Sequence, residues 1–295
     1  MTQPIITIEK AIKSYNSHRV LDKLNWQVNE GDIVGLLGKN AAGKSTLLES
    51  IMGLRELELG EIKLWGYSWH ELPQSQKQKI GYVAQTSSAF DWMKVSQYLD
   101  YICQFFPSWD KAYCETLLKR WRISDDQVIS KLSGGQKQML DVVQALSIRP
   151  ELLILDEPVA HLDPNMRRAF LKEVIDLCCE HGTTVIFSTH IVSDLERVAN
   201  RVAVLQFGVI RHYYELDELK ASIAKLSFAN STKTNLLEKD ASISKIKQFG
   251  ETTTTSIIAP LKKPIDEWCA FYGLDATIQP MNLEDWYLEV ANEFV

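Results

Sequence analysis

The chain has 295 residues, of which 45% are hydrophobic and 24% are charged, and its formal net charge is −6. This composition is ordinary for a soluble globular protein with one large domain or two smaller ones, and its acidic balance gives no electrostatic reason to expect a nucleic-acid partner. The five cysteines have no metal-ligand spacing and are predicted to be reduced thiols. No signal peptide is predicted. No membrane-spanning segment is predicted either, because the sequence has no run of roughly 18 apolar residues.

The first informative stretch is GKNAAGKST, residues 38 to 46, which fits the pattern G-x-x-x-x-G-K-[ST]. It follows a short apolar run, Ile33–Leu37, typical of a strand buried on both faces, and it precedes apolar residues at helical spacing. A strand, a glycine loop and a helix form the context in which such a loop binds phosphates. The alternative, a glycine-rich turn before an ordinary helix, is disfavoured by that context.

In such a loop the free backbone N–H groups and the Lys44 ammonium contact phosphate oxygens, and the Ser45 hydroxyl is a ligand for Mg²⁺. Ala41 occupies a variable position and is expected to cost energy only if its backbone needs a positive φ. The predicted phosphate-loop residues are Gly38, Lys39, Asn40, Ala41, Ala42, Gly43, Lys44, Ser45 and Thr46.

Two helical segments are predicted next, YLDYICQFF at 98–106 and WDKAYCETLLKRWRI at 109–123. Tyr98, Ile102, Phe105 and Phe106 are bulky residues at near-helical spacing. Their spacing indicates a core, a groove for a partner helix, or both, with the core dominating.

The stretch KLSGGQKQMLDVVQAL, residues 131 to 146, predicts a helix that starts after Ser133, a good N-cap residue, and stops before Pro150. Its glycines let backbone N–H groups approach a phosphate closely. A second buried strand follows in ELLILDEP and ends in Asp156 and Glu157. At a strand end beside a phosphate loop, Asp156 can hold Mg²⁺ through water and Glu157 can polarise an attacking water, although an acidic loop turn is the alternative.

The phosphate loop, LSGGQ and the acidic strand end together resemble the nucleotide-binding subunit of ABC (ATP-binding cassette) proteins over about residues 4 to 212. The resemblance implies an α/β fold of the P-loop NTPase class, with a RecA-like core, an antiparallel β subdomain and a helical lobe at about residues 86–149. It also implies ATP and Mg²⁺ as ligands, and ATP hydrolysis as the reaction.

The resemblance assigns roles to single residues. Tyr15 matches the aromatic residue that stacks on adenine, Gln85 the glutamine that senses Mg²⁺ and the membrane partner, and His190 the histidine that contacts the γ-phosphate. Each also has a plainer interpretation, as a surface tyrosine, an ordinary loop glutamine and a structural histidine. Asp163, in HLDP, matches the aspartate of the loop that faces the other subunit.

By the same resemblance, the LSGGQ residues cap the ATP held by a second subunit, so one chain has half of each active site. The implied capping residues are Ser133, Gly134, Gly135 and Gln136. The implied catalytic residues are Glu157, His190 and Gln85, and the implied Mg²⁺ ligands are Ser45, Gln85 and Asp156.

Three positions depart from the family pattern. His161 replaces a small residue in the loop that faces the other subunit, where it is expected to alter packing rather than to contact the partner's site. Met139 and Gln144 stand where arginines are common. These changes are expected to affect coupling and not ATP binding.

The segment FFPSWDKAYCETLLKRWRI is similar to the ATPases of drug, peptide and polysaccharide exporters whose membrane subunits are separate chains. The chain is therefore expected to be the ATP-hydrolysing subunit of an exporter, soluble when isolated and peripheral at the cytoplasmic face of the membrane. The expected partners are a second ATP-binding subunit, identical or not, and a separate integral membrane permease.

Two alternatives remain. A soluble ABC ATPase that acts on ribosomes or DNA is disfavoured by the single cassette, the lack of a heptad insertion and the acidic charge. A scaffold that hydrolyses nothing is disfavoured by the presence of Lys44, Asp156, Glu157 and His190.

Residues 213–295 predict a small α/β accessory region without a nucleotide, metal or catalytic motif. FANSTKTN at 228–235 reads as a loop, and TTTTSIIAPL at 252–261 as β-rich. A helix is predicted between Pro264 and Gly273, and a last amphipathic helix at 282–294 with Asn282 as its cap. Dimer contact and regulation are the roles considered for this region.

Overall fold

The computed structural model describes residues 4–86, 90–159, 162–229, 237, 240–244, 246–249 and 251–292. His161 lies outside the described residues, as does most of the predicted loop at 228–235. The described residues form three β-sheets.

The first sheet has four antiparallel strands in the order β2-β1-β4-β5. They are β1 (Pro4–Tyr15), β2 (His18–Asn29), β4 (Leu59–Leu64) and β5 (Tyr67–Ser68). Asn16, with a φ of 54°, forms the tight turn between β1 and β2, because its short polar side chain tolerates the left-handed region. The buried face of this sheet shares one apolar cluster with Leu47 and Leu48 of the first helix, α1 (Lys44–Ile51).

The second sheet is the central one, and its strand order is β10-β9-β3-β8-β7-β6. Five neighbouring strands are parallel, and β10 pairs with β9 antiparallel at one edge. The strands are β3 (Ile33–Leu37), β6 (Ile80–Val83), β7 (Leu152–Asp156), β8 (Thr184–Ser188), β9 (Arg201–Gln206) and β10 (Val209–Glu215). The middle strands are apolar and buried along almost their whole length, which confirms the two buried strands predicted from the sequence.

Helices connect these strands and cover the sheet. Besides α1, they are α2 (Gln74–Lys77), α6 (Pro164–His181), α7 (Val192–Val198) and α8 (Leu216–Ser222). Pro164 starts α6 and Gly182, with a φ of 65°, ends it.

The helical lobe contains α3 (Val95–Ile102), α4 (Lys111–Arg120) and α5 (Gly134–Ser147), with 3₁₀ turns at Cys103–Phe105 and Ile129–Lys131. The first lobe helix therefore begins three residues before the predicted segment, and Phe106 is extended. Tyr98 is buried in the lobe core, whereas Phe105 is exposed, so the aromatic residues divide between core and surface.

The two unusual residues of α5 have structural partners in the lobe. Met139 is fully buried in the apolar cluster that joins the lobe to the central sheet. Gln144 Oε1 accepts a hydrogen bond of 2.7 Å from the Tyr98 hydroxyl. An arginine at residue 139 would place a charge in this packed interior, which costs free energy unless the charge is paired. An arginine at residue 144 could not accept the hydrogen bond from the Tyr98 hydroxyl.

The third sheet lies in the accessory region and is antiparallel, with the order β12-β13-β11-β14. Its strands are β11 (Ala224–Ala229), β12 (Lys247–Phe249), β13 (Thr252–Ile257) and β14 (Ala276–Pro280). Two helices accompany it, α9 (Ile265–Tyr272) and α10 (Leu283–Asn292). Both predicted helix boundaries are confirmed: Gly273 ends α9 with a φ of 60°, and Asn282 Oδ1 accepts from the Asp285 N–H at 2.7 Å.

The accessory region packs into the cassette through α10. Trp286 is fully buried in the same apolar cluster as α7 and β9 of the cassette, and its Nε1–H donates to the Ile258 carbonyl at 2.8 Å. The end of α10 reaches the phosphate loop, where Lys39 Nζ lies 3.4 Å from Asn292 Oδ1. Strand β10 runs across the predicted boundary at residue 212, and that boundary stays a prediction.

All five cysteines are free thiols. Among the described helices, none is both long enough and apolar enough to cross a bilayer.

Trp286→Ala should destabilise the protein by about 3–5 kcal/mol, because it empties a fully buried site and removes a donor from the Ile258 carbonyl. The measurement is the urea midpoint of the purified chain, and Trp286→Phe, which keeps most of the volume, should show a smaller loss. Leu288→Ala is the matched control, since Leu288 lies on the same helix but is 53% exposed. Equal midpoints for Trp286→Ala and Leu288→Ala would contradict the proposed packing.

Candidate functional site

The phosphate loop joins the end of β3 to the start of α1, as the sequence predicts. Gly43 has a φ of 100°, and a Cβ atom there would lie 2.7 Å from Val20 Cγ1, so only glycine fits. Ala41 has a φ of 63°. The cost anticipated for a positive φ at this alanine therefore applies, and it is roughly 1–2 kcal/mol.

Lys44 is a buried cation inside this loop. Its ammonium donates to the Gly38 carbonyl at 2.9 Å, and the Lys39 carbonyl is 3.4 Å away. Glu157 Oε1 lies 3.7 Å from the same nitrogen. A cation removed from water interacts strongly with anions that reach it, so the loop is suited to hold phosphate.

The acidic end of β7 is tied to its neighbour β8. The Ser188 hydroxyl donates to Asp156 Oδ1 at 2.6 Å and accepts from the Glu157 N–H at 2.8 Å. The carboxylate of Glu157 also lies 3.5 Å from His190 Nδ1. Because parallel strands end at the same edge of a sheet, β3, β7 and β8 bring Lys44, Glu157 and His190 together.

These residues share one cleft of about 650 Å³. The cleft contains the predicted Tyr15, Gln85, Glu157 and His190 together with much of the phosphate loop. Two further residues, His18 and Val20 at the start of β2, were not predicted from the sequence, since no local motif marks them. The full lining is Tyr15, His18, Val20, Asn40, Ala41, Gly43, Lys44, Ser45, Thr46, Gln85, Glu157 and His190.

The LSGGQ residues do not line this cleft in the described part of the chain. Ser133 caps α5 as predicted: its Oγ accepts from the Gln136 N–H at 3.2 Å, and Gln136 Oε1 accepts from the Ser133 N–H at 3.1 Å. Ser133 and Gly134 are exposed, and a Cβ atom at Gly134 would meet nothing within 4 Å. The packing of this chain therefore does not require glycine at residue 134.

Asp163 likewise lies outside the described cleft lining and caps its own helix. Its Oδ1 accepts from the N–H groups of Asn165 and Met166 at 2.8 and 3.0 Å. One turn into α6, Arg167 approaches the buried Asp194 of α7 at 3.6 Å. Burial raises the pKa of the Asp194 carboxyl above its ordinary value, although the Arg167 charge opposes that shift.

The oxygen atoms at this site are suited to bind an Mg²⁺ ion whose remaining ligands come from phosphate groups. Within the described residues, no group of three His, Cys, Asp or Glu side chains could hold a metal ion. Ser45 and Gln85 line the cleft, whereas Asp156 is buried next to Glu157 at the end of β7. The hydroxyl, the amide and the carboxylate of these residues are oxygen ligands of the kind that Mg²⁺ prefers. Because Mg²⁺ uses few protein ligands where phosphates supply the others, this donor set fits a metal–nucleotide complex.

Comparisons with known proteins agree with this geometry. A family model described as ABC transporter matches residues 21–160. The uncharacterized ABC transporter ATP-binding protein YxlF of Bacillus subtilis is 34% identical over 304 residues, covering 98% of this chain and 100% of that protein. The bacitracin transport ATP-binding protein BcrA of Enterococcus faecalis is 31% identical over 220 residues, covering 73% of this chain and 70% of that protein.

The fold is shared with a solved structure, the ATP-binding cassette MJ0796, a dimer in a post-hydrolysis state bound to ADP and Pi. The TM-score is 0.65 at 21% identity, and the match covers 72% of this chain and 98% of that one. The chain therefore belongs to the ABC transporter family, as an ATP-binding cassette of the P-loop α/β fold and an ATPase.

Proposed function

We propose that this chain is the motor subunit of an ABC exporter, which closes as a dimer on two ATP molecules and drives a separate membrane permease. The observation that supports it most is the division of the motifs. In the cleft, the Glu157 carboxylate lies within 4 Å of both Lys44 Nζ and His190 Nδ1. The exposed N-terminal tip of α5, which carries the LSGGQ residues, lies outside the cleft lining. A motif that is built to approach phosphate, yet is exposed and outside its own site, fits a second nucleotide site completed in trans.

The side chains of the cleft have distinct roles in hydrolysis. Lys44 binds the β- and γ-phosphates, and His190 contacts the γ-phosphate. Glu157 orients the attacking water and accepts its proton. Mg²⁺, held by Ser45, Gln85 and Asp156, would neutralise negative charge on the phosphate oxygens when bound.

The contacts of Glu157 suggest how these roles are coordinated. Its two oxygens lie near the Lys44 ammonium and the His190 ring, which are also the groups assigned to phosphate. A γ-phosphate therefore competes with Glu157 for the same two partners. When the phosphate holds them, the Glu157 carboxylate is left to bind water.

The adenine is assigned to Tyr15, whose partly exposed ring lies in the cleft beside His18 and Val20. The Lys13 ammonium lies 5.6 Å from the Tyr15 ring centroid. The attraction between a cation and an aromatic ring is worth roughly 0.5–1 kcal/mol at an exposed site. This contact helps to hold the ring as a stacking surface.

The second subunit, identical or not, supplies Ser133, Gly134, Gly135 and Gln136 to the nucleotide. The dimer of MJ0796 supports this arrangement, because that cassette shares the fold. Asp163 lies on the same proposed interface.

The membrane partner is assigned to an aromatic patch on the lobe, formed by Phe90, Trp92, Tyr101 and Phe105. Trp92 is 75% exposed and Phe105 is 51% exposed. The ring of Tyr101 lies 5.8 Å from Phe90 and 5.3 Å from Phe105, so these three rings are in contact, and Trp92 is close to Phe90 in sequence. Exposed apolar patches of this kind mark interaction sites, and this one follows the Gln85 segment. Docking there would place the chain at the cytoplasmic face of the membrane.

Export is assigned from the lobe segment 105–123 and from the BcrA relative, which is named for bacitracin transport.

Glu157→Gln should slow ATP hydrolysis by about 10²–10⁴-fold and leave ATP binding intact, because the variant keeps the shape but loses the proton acceptor. Steady-state ATPase rates and equilibrium nucleotide binding measure the two effects. With Mg-ATP the variant should elute from gel filtration as a dimer. Glu151→Gln, at the exposed residue just before β7 and at the opposite end of that strand from Glu157, is the matched control and should hydrolyse normally. A variant that stays monomeric at every concentration argues against the nucleotide-bridged dimer.

Ser133→Arg should abolish turnover without preventing ATP from binding the same subunit, because the bulky cation blocks the tip of α5 and not the cleft. Nucleotide titration and ATPase assays separate these effects. Ser130→Arg, three residues upstream and also exposed, is the control. Loss of ATP binding in Ser133→Arg would refute the assignment of this motif to the partner's nucleotide.

The double variant Trp92→Ala, Phe105→Ala should lower the amount of integral membrane protein that co-purifies with the chain from membranes. The rate of ATP hydrolysis by the isolated chain should not change, because the patch is outside the described cleft lining. Phe271→Ala, which removes an exposed aromatic from the accessory region, is the control. Undiminished co-purification would exclude the patch as the docking surface.

A further inference from the structure

Gln138 connects the helix of the LSGGQ motif to the acidic end of β7. It lies on α5, a little over one turn beyond the Ser133 cap, and it is only 5% exposed. Its Nε2 donates to the carbonyl oxygen of Glu157 at 3.0 Å. The hydrogen bond therefore links the tip that faces the partner's nucleotide to the residue assigned as the base in this chain's own cleft.

The backbone of Glu157 needs such support. Its φ is 48°, a left-handed conformation that is uncommon for residues other than glycine, asparagine and aspartate. Its N–H is held by the Ser188 hydroxyl, and its carbonyl by Gln138. Strained backbone of this kind persists only where the surroundings hold it, so the position of the Glu157 carboxylate depends on both contacts.

The side-chain oxygen of Gln138 gains no hydrogen bond in the described part of the folded chain, so burial of this oxygen is not explained by its own hydrogen bonding. Its Oε1 is buried and has no hydrogen-bond partner among the described residues. A buried amide oxygen without a donor is unfavourable, by comparison with an apolar side chain of the same volume. The neighbouring Met139 and Leu140 show that apolar side chains pack well at this level of α5.

We propose that Gln138 is a positioning residue that couples the two active sites of the dimer. This inference rests on the proposed function, in which the tip of α5 contacts the nucleotide of the other subunit. When that contact forms, α5 shifts as a rigid helix and carries Gln138 with it. The Glu157 carbonyl follows, and the carboxylate takes the position from which it accepts a proton. One site then becomes competent for hydrolysis only when the other site has bound its nucleotide.

The positioning role is tested first with Gln138→Leu and Gln138→Glu. Leucine fills the buried space but donates nothing, so kcat should fall about tenfold or more while KM for Mg-ATP changes little, because the phosphate loop is untouched. Gln144→Leu is the matched control on the same helix. It loses a hydrogen bond to Tyr98 and not to Glu157, and it should keep the wild-type kcat.

Gln138→Glu adds a pH readout that a purely structural role would not produce. The protonated carboxyl can donate to the Glu157 carbonyl, whereas the carboxylate repels it. Activity relative to wild type should therefore rise as the pH falls, and Gln138→Leu should show no such recovery. A parallel rise in KM, or a flat pH dependence of the Gln138→Glu to wild-type ratio, would overturn the positioning role.

Coupling is tested by mixing subunits one to one before Mg-ATP is added. Random pairing makes about a quarter of the dimers wild type and about half of them mixed. The mixture of wild type and Ser133→Arg should therefore hydrolyse ATP at about a quarter of the rate of pure wild type if the sites are coupled, because mixed dimers are then inactive. The rate should be about half if the sites act independently, because each mixed dimer then keeps one working site. The same mixture is then made with Gln138→Leu in both partners. Its rate should move from about a quarter to about half of the unmixed Gln138→Leu rate.

The outcomes separate this inference from the proposed function. If wild type hydrolyses ATP and Glu157→Gln forms a dimer, but both mixtures give the same fraction, the coupling role of Gln138 is wrong and the ATPase assignment stands. If the wild-type chain neither hydrolyses ATP nor forms that dimer, the proposed function itself fails.

Discussion

The site depends on the interaction between a buried lysine ammonium and the backbone carbonyl groups of its own loop. Lys44 contacts the Gly38 carbonyl at the point where β3 gives way to α1, and Glu157 lies across the cleft from it. Burying a charge is unfavourable unless oxygen atoms surround it, so the loop must take one particular shape. That shape also directs the loop and the first turn of α1 toward the cleft, where we propose that phosphate binds.

The parallel sheet is what brings the partners of Lys44 to the same place. β3, β7 and β8 are neighbours, so the loops that follow them meet at one edge. Ser188 then fastens β8 to β7 by contacting both Asp156 and Glu157. Two residues other than glycine, Ala41 and Glu157, adopt a positive φ beside this edge. Such strain is found where a site must hold its groups in fixed positions, and the hydrogen bonds around Glu157 offset part of its cost.

The accessory region is built into the cassette and not merely attached to it. Trp286 contributes its whole side chain to the cassette's apolar cluster, and the end of the same helix reaches Lys39 of the phosphate loop. A change in the accessory region can therefore reach the nucleotide site through α10. Of the two roles considered for residues 213–295, dimer contact and regulation, this contact supports regulation.

The sequence by itself determined the features that depend on neighbours along the chain. The glycine loop, the Ser133 and Asn282 caps and the Gly273 helix end each result from interactions within a few residues. The apolar runs that form the buried strands are visible in the local pattern as well, although their pairing is not. Tertiary structure decided the rest. Two contacts join segments that are distant in sequence: the Gln138–Glu157 hydrogen bond and the burial of Trp286 in the cassette. The positive φ of Glu157 is held by hydrogen bonds from such distant segments. No local pattern records such pairings, because they depend on how whole helices and strands pack against each other in three dimensions.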